Sequence, residues 1–168
     1  MKRIFLLLVV VFSLSGCEKD DICDANTVTT PRLVIEFYDN NIATPTLKNV
    51  TGLNVIAQGY TTPITFSGVS KIQIPLKTTD DTTTFSFILN SGDNDPTNDN
   101  EDILQFNYTR NNIFVSRACG YKTLFNLNDT NPIIQSEPTT PDGIWMDNIA
   151  IVKSNLESEN EVHVQIRF

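Results

Sequence analysis

The stretch GDNDPTNDNED, Gly92 to Asp102, holds five carboxylates: Asp93, Asp95, Asp99, Glu101 and Asp102. Oxygen donors at that density suit a hard cation such as calcium, which takes six to eight of them at about 2.3–2.6 Å. The spacing is not that of an EF-hand. Counted from Asp93, Thr97 falls at position five, Asn98 replaces the glycine, and Leu104 stands where a bidentate glutamate belongs. Two states fit these residues, a solvated acidic turn and a looser calcium loop, so no cofactor is expected unless that loop takes calcium. A second group lies in FVSRACGYKTLF, Phe114 to Phe125. There Arg117, Tyr121 and Lys122 could form a cationic and aromatic contact site on an acidic molecule. The structural alternative is that Gly120 bends the chain, Cys119 bridges and Arg117 pairs with a carboxylate. Trp145, beside Met146, serves either as core or as a platform for stacking a sugar.

Enzyme chemistry has little to work with. His163 is the single histidine, at an alternate position of the last strand that points outward, so neither a hydrolytic triad nor a multi-imidazole zinc site can be assembled. Neither a GxSxG elbow nor a phosphate-cradling glycine loop occurs. A paired-carboxylate hydrolase leaves no local signature and could be built from the 20 acids. The expectation is a protein that is not an enzyme.

The amino terminus carries a different chemistry. Met1-Lys2-Arg3 is followed by nine apolar residues, Ile4 to Phe12. That run is too short for a transmembrane helix, which needs roughly 20, and fits the core of a signal peptide over 1–16. Leu14-Ser15-Gly16-Cys17 resembles the bacterial lipobox. The resemblance implies cleavage before Cys17, a thioether from its sulfur to diacylglycerol, and acylation of the new amine. Several acyl chains would hold the protein on the membrane stably, at about 0.8 kcal/mol per buried methylene. Glu18-Lys19-Asp20-Asp21 resembles the surface-export tether of Bacteroidetes-type lipoproteins, displaced by one residue. The cell-surface face of an outer membrane is therefore favoured over the periplasmic face, with a plain charged spacer as the alternative.

Loss of the leader would remove two of the 12 basic residues and none of the acidic ones, changing the formal charge from −8 to −10. Such a balance argues against a nucleic-acid partner. With Cys17 alkylated, Cys23 and Cys119 remain, an even number in an oxidising compartment. A disulfide between them is expected, against two free buried thiols.

These residues have to be positioned by strands, because apolar side chains recur with a period of two. Leu33, Ile35 and Phe37 share a face, as do Leu53, Val55 and Ala57; Ile72 and Ile74; Phe85, Phe87 and Leu89; Leu104, Phe106 and Tyr108; and Ile113 and Val115. GIWMDNIAIV and VHVQIRF supply the last two runs. Asn40-Asn41, Gly59, Gly68, Asp80-Asp81, Ser91-Gly92, Asn111-Asn112 and Asn128-Asp129 mark turns between runs. Pro75 places its strand at an edge or bulge. The pattern predicts an all-β, antiparallel β-sandwich of immunoglobulin-like architecture with eight or nine short strands over 31–168, behind a lipidated tether over 17–30. Gln135 to Asp142 is a long loop before the closing hairpin. An eight-stranded outer-membrane barrel is the minor alternative, since the chain ends in an alternating strand with a terminal aromatic.

CEKDDIC, TPRLVIEFYD, EDILQFNYTRNNIFVSRACGYKTLFNLN and the closing strands together resemble a family of small Bacteroidetes outer-membrane lipoproteins classed as a domain of unknown function. That resemblance implies one lipid-anchored β-domain and brings no catalytic residues. The expected role is a noncatalytic docking or assembly component of the envelope. The alternative is a glycan- or ligand-binding module at the cell surface, supported by calcium.

Overall fold

The computed structural model describes residues 22–40, 44–93 and 95–168. The leader, Cys17 and the Glu18–Asp21 stretch lie outside the described residues. Among the described residues there are eleven strands: β1 Leu33–Tyr38, β2 Leu53–Ala57, β3 Ile64–Phe66, β4 Lys71–Ile74, β5 Thr82–Leu89, β6 Asn100–Ser116, β7 Gly120–Leu127, β8 Ile133–Ser136, β9 Asn148–Ile151, β10 Asn155–Leu156 and β11 Val164–Arg167. They form two sheets. One has the order β4-β1-β11-β9; the other runs β10-β7-β6-β5-β2-β3, with β8 also paired to β6. All pairs are antiparallel except β1 with β11.

Alternation explains why the sheets pack as they do. Successive side chains of a strand point to opposite faces, so Leu33, Ile35 and Phe37 meet Leu53, Val55, Phe85, Phe87, Leu104 and Phe106 in one buried cluster. Trp145 joins the sheets. Its ring stacks on Phe37 at 6.3 Å and meets Phe168 edge-on at 5.3 Å, while its Nε1–H donates to the Phe87 carbonyl at 3.2 Å. It is 8% exposed, so of its two expected roles the structure assigns it to the core.

The strand count exceeds the expected eight or nine because β3, β8 and β10 have short or exposed faces with no buried alternation to reveal them. A larger departure concerns β6. The turn expected at Asn111-Asn112 is absent: DILQFNYTR and NIFVSRACG are one continuous strand of 17 residues. Both asparagines sit in regular register, opposite Leu124 and Thr123. The reversal comes at 117–119, where Gly120 has φ +70 and closes the hairpin; a left-handed residue there is the usual device of a three-residue hairpin loop.

Gly52 is the other position that requires glycine. Its φ is +59, and a Cβ would come within 2.7 Å of the Ser91 carbonyl oxygen.

Candidate functional site

The β6–β7 hairpin outruns the sandwich. Leu104, Phe106 and Tyr108 are buried on the inner face of β6, and Arg110, Asn112 and Phe114 continue the same face. From Thr109 to Lys122 no residue is buried. At the end of this extension Phe114 pairs across the strands with Tyr121, ring centroids 5.3 Å apart and edge-on, with 56% and 70% of each residue exposed. Arg117 lies in the turn and Lys122 is half-buried beside Tyr121. Cys119, next to the turn glycine, is bonded to Cys23, with 4.9 Å between their Cα atoms. The Thr123 N–H also donates to Thr30 Oγ1 at 3.0 Å. The expected disulfide is thus formed, and it fastens the hairpin turn to the start of the described chain.

Phe114 was not among the candidate residues. Placing a turn at Asn111-Asn112 restarts the alternation and draws attention to Ile113 and Val115, whereas unbroken pairing keeps the parity of Tyr108 and puts Phe114 on the core-side face. A one-residue change of parity exchanges the two faces of a strand.

The acidic stretch is distributed rather than convergent. Asp93 accepts from the Asp95 N–H at 2.8 Å and from Asn98 Nδ2 at 3.0 Å, and those bonds lower its carboxyl below the ordinary value. Asp95 accepts from the Thr97 N–H at 3.1 Å and from its hydroxyl at 2.5 Å. Glu101 uses its backbone N–H to reach Asp142 at 2.9 Å, and Asp99 is half-buried. Asp102 departs altogether: it is 0% exposed, turned between the sheets. Among the described residues no three His, Cys, Asp or Glu side chains come together in a group that could hold a metal ion.

His163 corrects the sequence expectation of an outward side chain. It is fully buried just before β11, where its N–H donates to the Val34 carbonyl and its Nδ1 accepts from the Val34 N–H, both at 3.0 Å. The residue lies beside Val34, one step back along the β1–β11 register, and both it and Val164 are buried, so the strict alternation expected of the final run breaks one residue before the strand. With Nδ1 as acceptor the proton sits on Nε2, which has no partner.

Burial holds the His163 imidazole below its ordinary pKa, with Glu161 opposing and Lys153 adding to the effect. The unfolded chain therefore takes up a proton first, near pH 6.5. Stability conferred by the neutral ring is complete above that value and is lost as pH falls from it toward the depressed folded-state pKa. His163→Asn, whose Oδ1 can replace Nδ1 as acceptor, should remove this part of the pH dependence. Denaturant unfolding of both proteins between pH 7 and 5 would show it as a wild-type free energy that falls relative to the variant's.

Leu47, Ile144 and Val152 are exposed as well, and a further apolar surface lies at a sheet edge. Among the described residues β3 is paired only with β2, and a groove of about 430 Å³ opens beside it. Val55, Ile64, Leu76 and Phe85 line its apolar part, and Tyr60, 69% exposed, stands at its rim. The far wall is held by Tyr108, whose hydroxyl donates to the Lys77 carbonyl at 2.9 Å and meets Thr83 Oγ1 at 2.6 Å.

The architecture defines a two-sheet, all-β sandwich with exposed apolar side chains at the β3 edge and on a disulfide-tied hairpin among other places. The chain belongs to a family of unknown function, DUF6452, whose model matches residues 52–168. No match was found among curated proteins or among solved structures.

Proposed function

We propose that this protein is a lipid-anchored, noncatalytic component of the outer-membrane envelope that docks on a protein partner by accepting an extended segment at β3. Cys17 is the acylated residue in this reading, and Glu18–Asp21 the spacer or surface-export tag. The observation that carries the docking role is the open edge of β3 beside an apolar groove. A strand laid along such an edge gains main-chain hydrogen bonds, and alternate side chains enter a neighbouring pocket. Edges left this way also invite aggregation unless something covers them.

Crosslinking in intact membranes followed by capture tests the proposal. One stoichiometric partner is expected, and Ile64→Lys should abolish its capture because a charged side chain on an edge opposes strand addition. The substitution is at a partly exposed site, so the purified variant should keep its unfolding free energy within about 0.5 kcal/mol. A partner retained by Ile64→Lys would exclude β3 as the dock.

The second reading, a glycan- or ligand-binding module, draws on the same groove, with Tyr60 as the exposed ring and Thr62, Thr78 and Thr79 as polar neighbours. Glycan binding by the isolated protein, lost on Tyr60→Ala, would select it.

A further inference from the structure

We propose that the tip of the β6–β7 hairpin is a membrane-interface contact, with Phe114 and Tyr121 at the headgroup level of the bilayer entered by the acyl chains of Cys17. The inference rests on the lipidation proposed above and adds an orientation to it.

Chain length gives the first ground. Six peptide steps separate Cys17 from Cys23, and a chain reaches at most about 3.6 Å per residue, so the Cys23 Cα stays within about 22 Å of that of the anchored Cys17. Cys23 is bonded to Cys119 in the hairpin turn. The turn is consequently held close to the membrane surface, whatever path those six residues take.

Side-chain chemistry gives the second. Phe114 and Tyr121 form the exposed pair at the tip, and rings with an apolar body and, in tyrosine, a polar end settle between acyl chains and water. Charge gives the third. From Ile103 to Asn128 there is no acidic residue but there are three basic ones, Arg110, Arg117 and Lys122, in a chain of formal charge −8. Arg110 is paired with Asp81, which leaves Arg117 and Lys122 at the tip. Lipid phosphates suit both. Asp24 and the acidic residues of 18–21 lie along the tether, so the contact is to the interface of a zwitterionic bilayer and needs no net anionic surface.

The orientation leaves the partner edge free. β7 and β3 are four strand spacings apart in one sheet, roughly 19 Å.

Because Cys23 and Cys119 are bonded, Cys17 of the mature chain can be coupled to a maleimide lipid and the protein held on phosphatidylcholine vesicles. Phe114→Trp and, separately, Tyr121→Trp then report on the tip, with the parent protein giving the background from buried Trp145. The introduced indole should be blue-shifted and should lose intensity when the lipids are brominated near the glycerol end of their chains; Tyr60→Trp should show neither change. Tip indoles with water-like, unquenched emission on vesicle-bound protein would overturn the contact. Labelled palmitate given to the producing cells tests the anchor separately: label present in wild type and absent from Cys17→Ala supports it, whereas absence from both overturns the natural anchoring on which the inference rests.

Discussion

The double variant Cys23→Ser/Cys119→Ser is expected to lose about 2–5 kcal/mol of unfolding free energy. The bridge spans 96 residues, and the chain-entropy account gives about 4.7 kcal/mol for closing a loop near that length. Its position makes the loss uneven. From Thr109 to Lys122 the hairpin has no buried residue, and besides the bridge the Thr123 N–H to Thr30 Oγ1 bond and a 3.8 Å contact of Cys119 Sγ with Thr27 Oγ1 connect it to the entering segment. Regions with few buried contacts open with the lowest free energies. Amide hydrogens of 111–124 should therefore exchange faster in the variant by a larger factor than those of β1 and β5. Hydrogen exchange and urea denaturation would check both parts. A loss below about 1 kcal/mol, with exchange unchanged in the hairpin, would mean that the bridge constrains neither the unfolded chain nor the hairpin.

The elements that could be read from the sequence are those with one fully buried face. β1, β2, β4 and β5 each alternate apolar and polar residues against the core, and their expected bounds agree with the structure to within a few residues. β3 and β8 could not be found that way: their side chains are exposed or half-buried, and pairing alone defines them. Asn111-Asn112 carried a turn signal, yet unbroken pairing with Leu124 and Thr123 keeps both residues in the strand. Local propensity for a turn is weak beside a ladder of cross-strand bonds. His163 and Asp102 share another cause of error. Each is polar, His163 expected to point outward and Asp102 to belong to a calcium loop or a solvated turn, and each is buried because it satisfies backbone groups, His163 those of Val34 and Asp102 those of Trp145 and Met146. Periodicity puts Asp102 on the face of Leu104 but carries no sign of which donors a buried carboxylate would meet there; the three-dimensional paths of Gln135, Trp145 and Met146 supply them.

Asp102→Ala is expected to cost about 2–5 kcal/mol, because a buried carboxylate that holds several donors leaves all of them orphaned when it is removed. Its Oδ2 accepts from the Met146 N–H at 2.8 Å, the Trp145 N–H at 3.2 Å and Gln135 Nε2 at 3.2 Å. Those donors lie where the chain passes from β8 in one sheet to β9 in the other, so the carboxylate fixes the crossover that seats Trp145 between Phe37 and Phe87. Asp102→Asn should cost less, since an amide oxygen can replace Oδ2, and its comparison with wild type isolates the charge. Burial raises the Asp102 pKa above its ordinary value, against the lowering by Met146, Gln135 and Trp145. The folded state then holds more protons than the unfolded one from about pH 4 up to the raised pKa, and wild-type stability falls as pH rises through that window. Asp102→Asn lacks this loss, so its unfolding free energy relative to wild type should climb from acid toward neutral pH and level off above the raised pKa. Urea titrations of the two proteins across pH 4–8 would measure the climb; a flat difference would mean that Asp102 titrates alike in the folded and unfolded states.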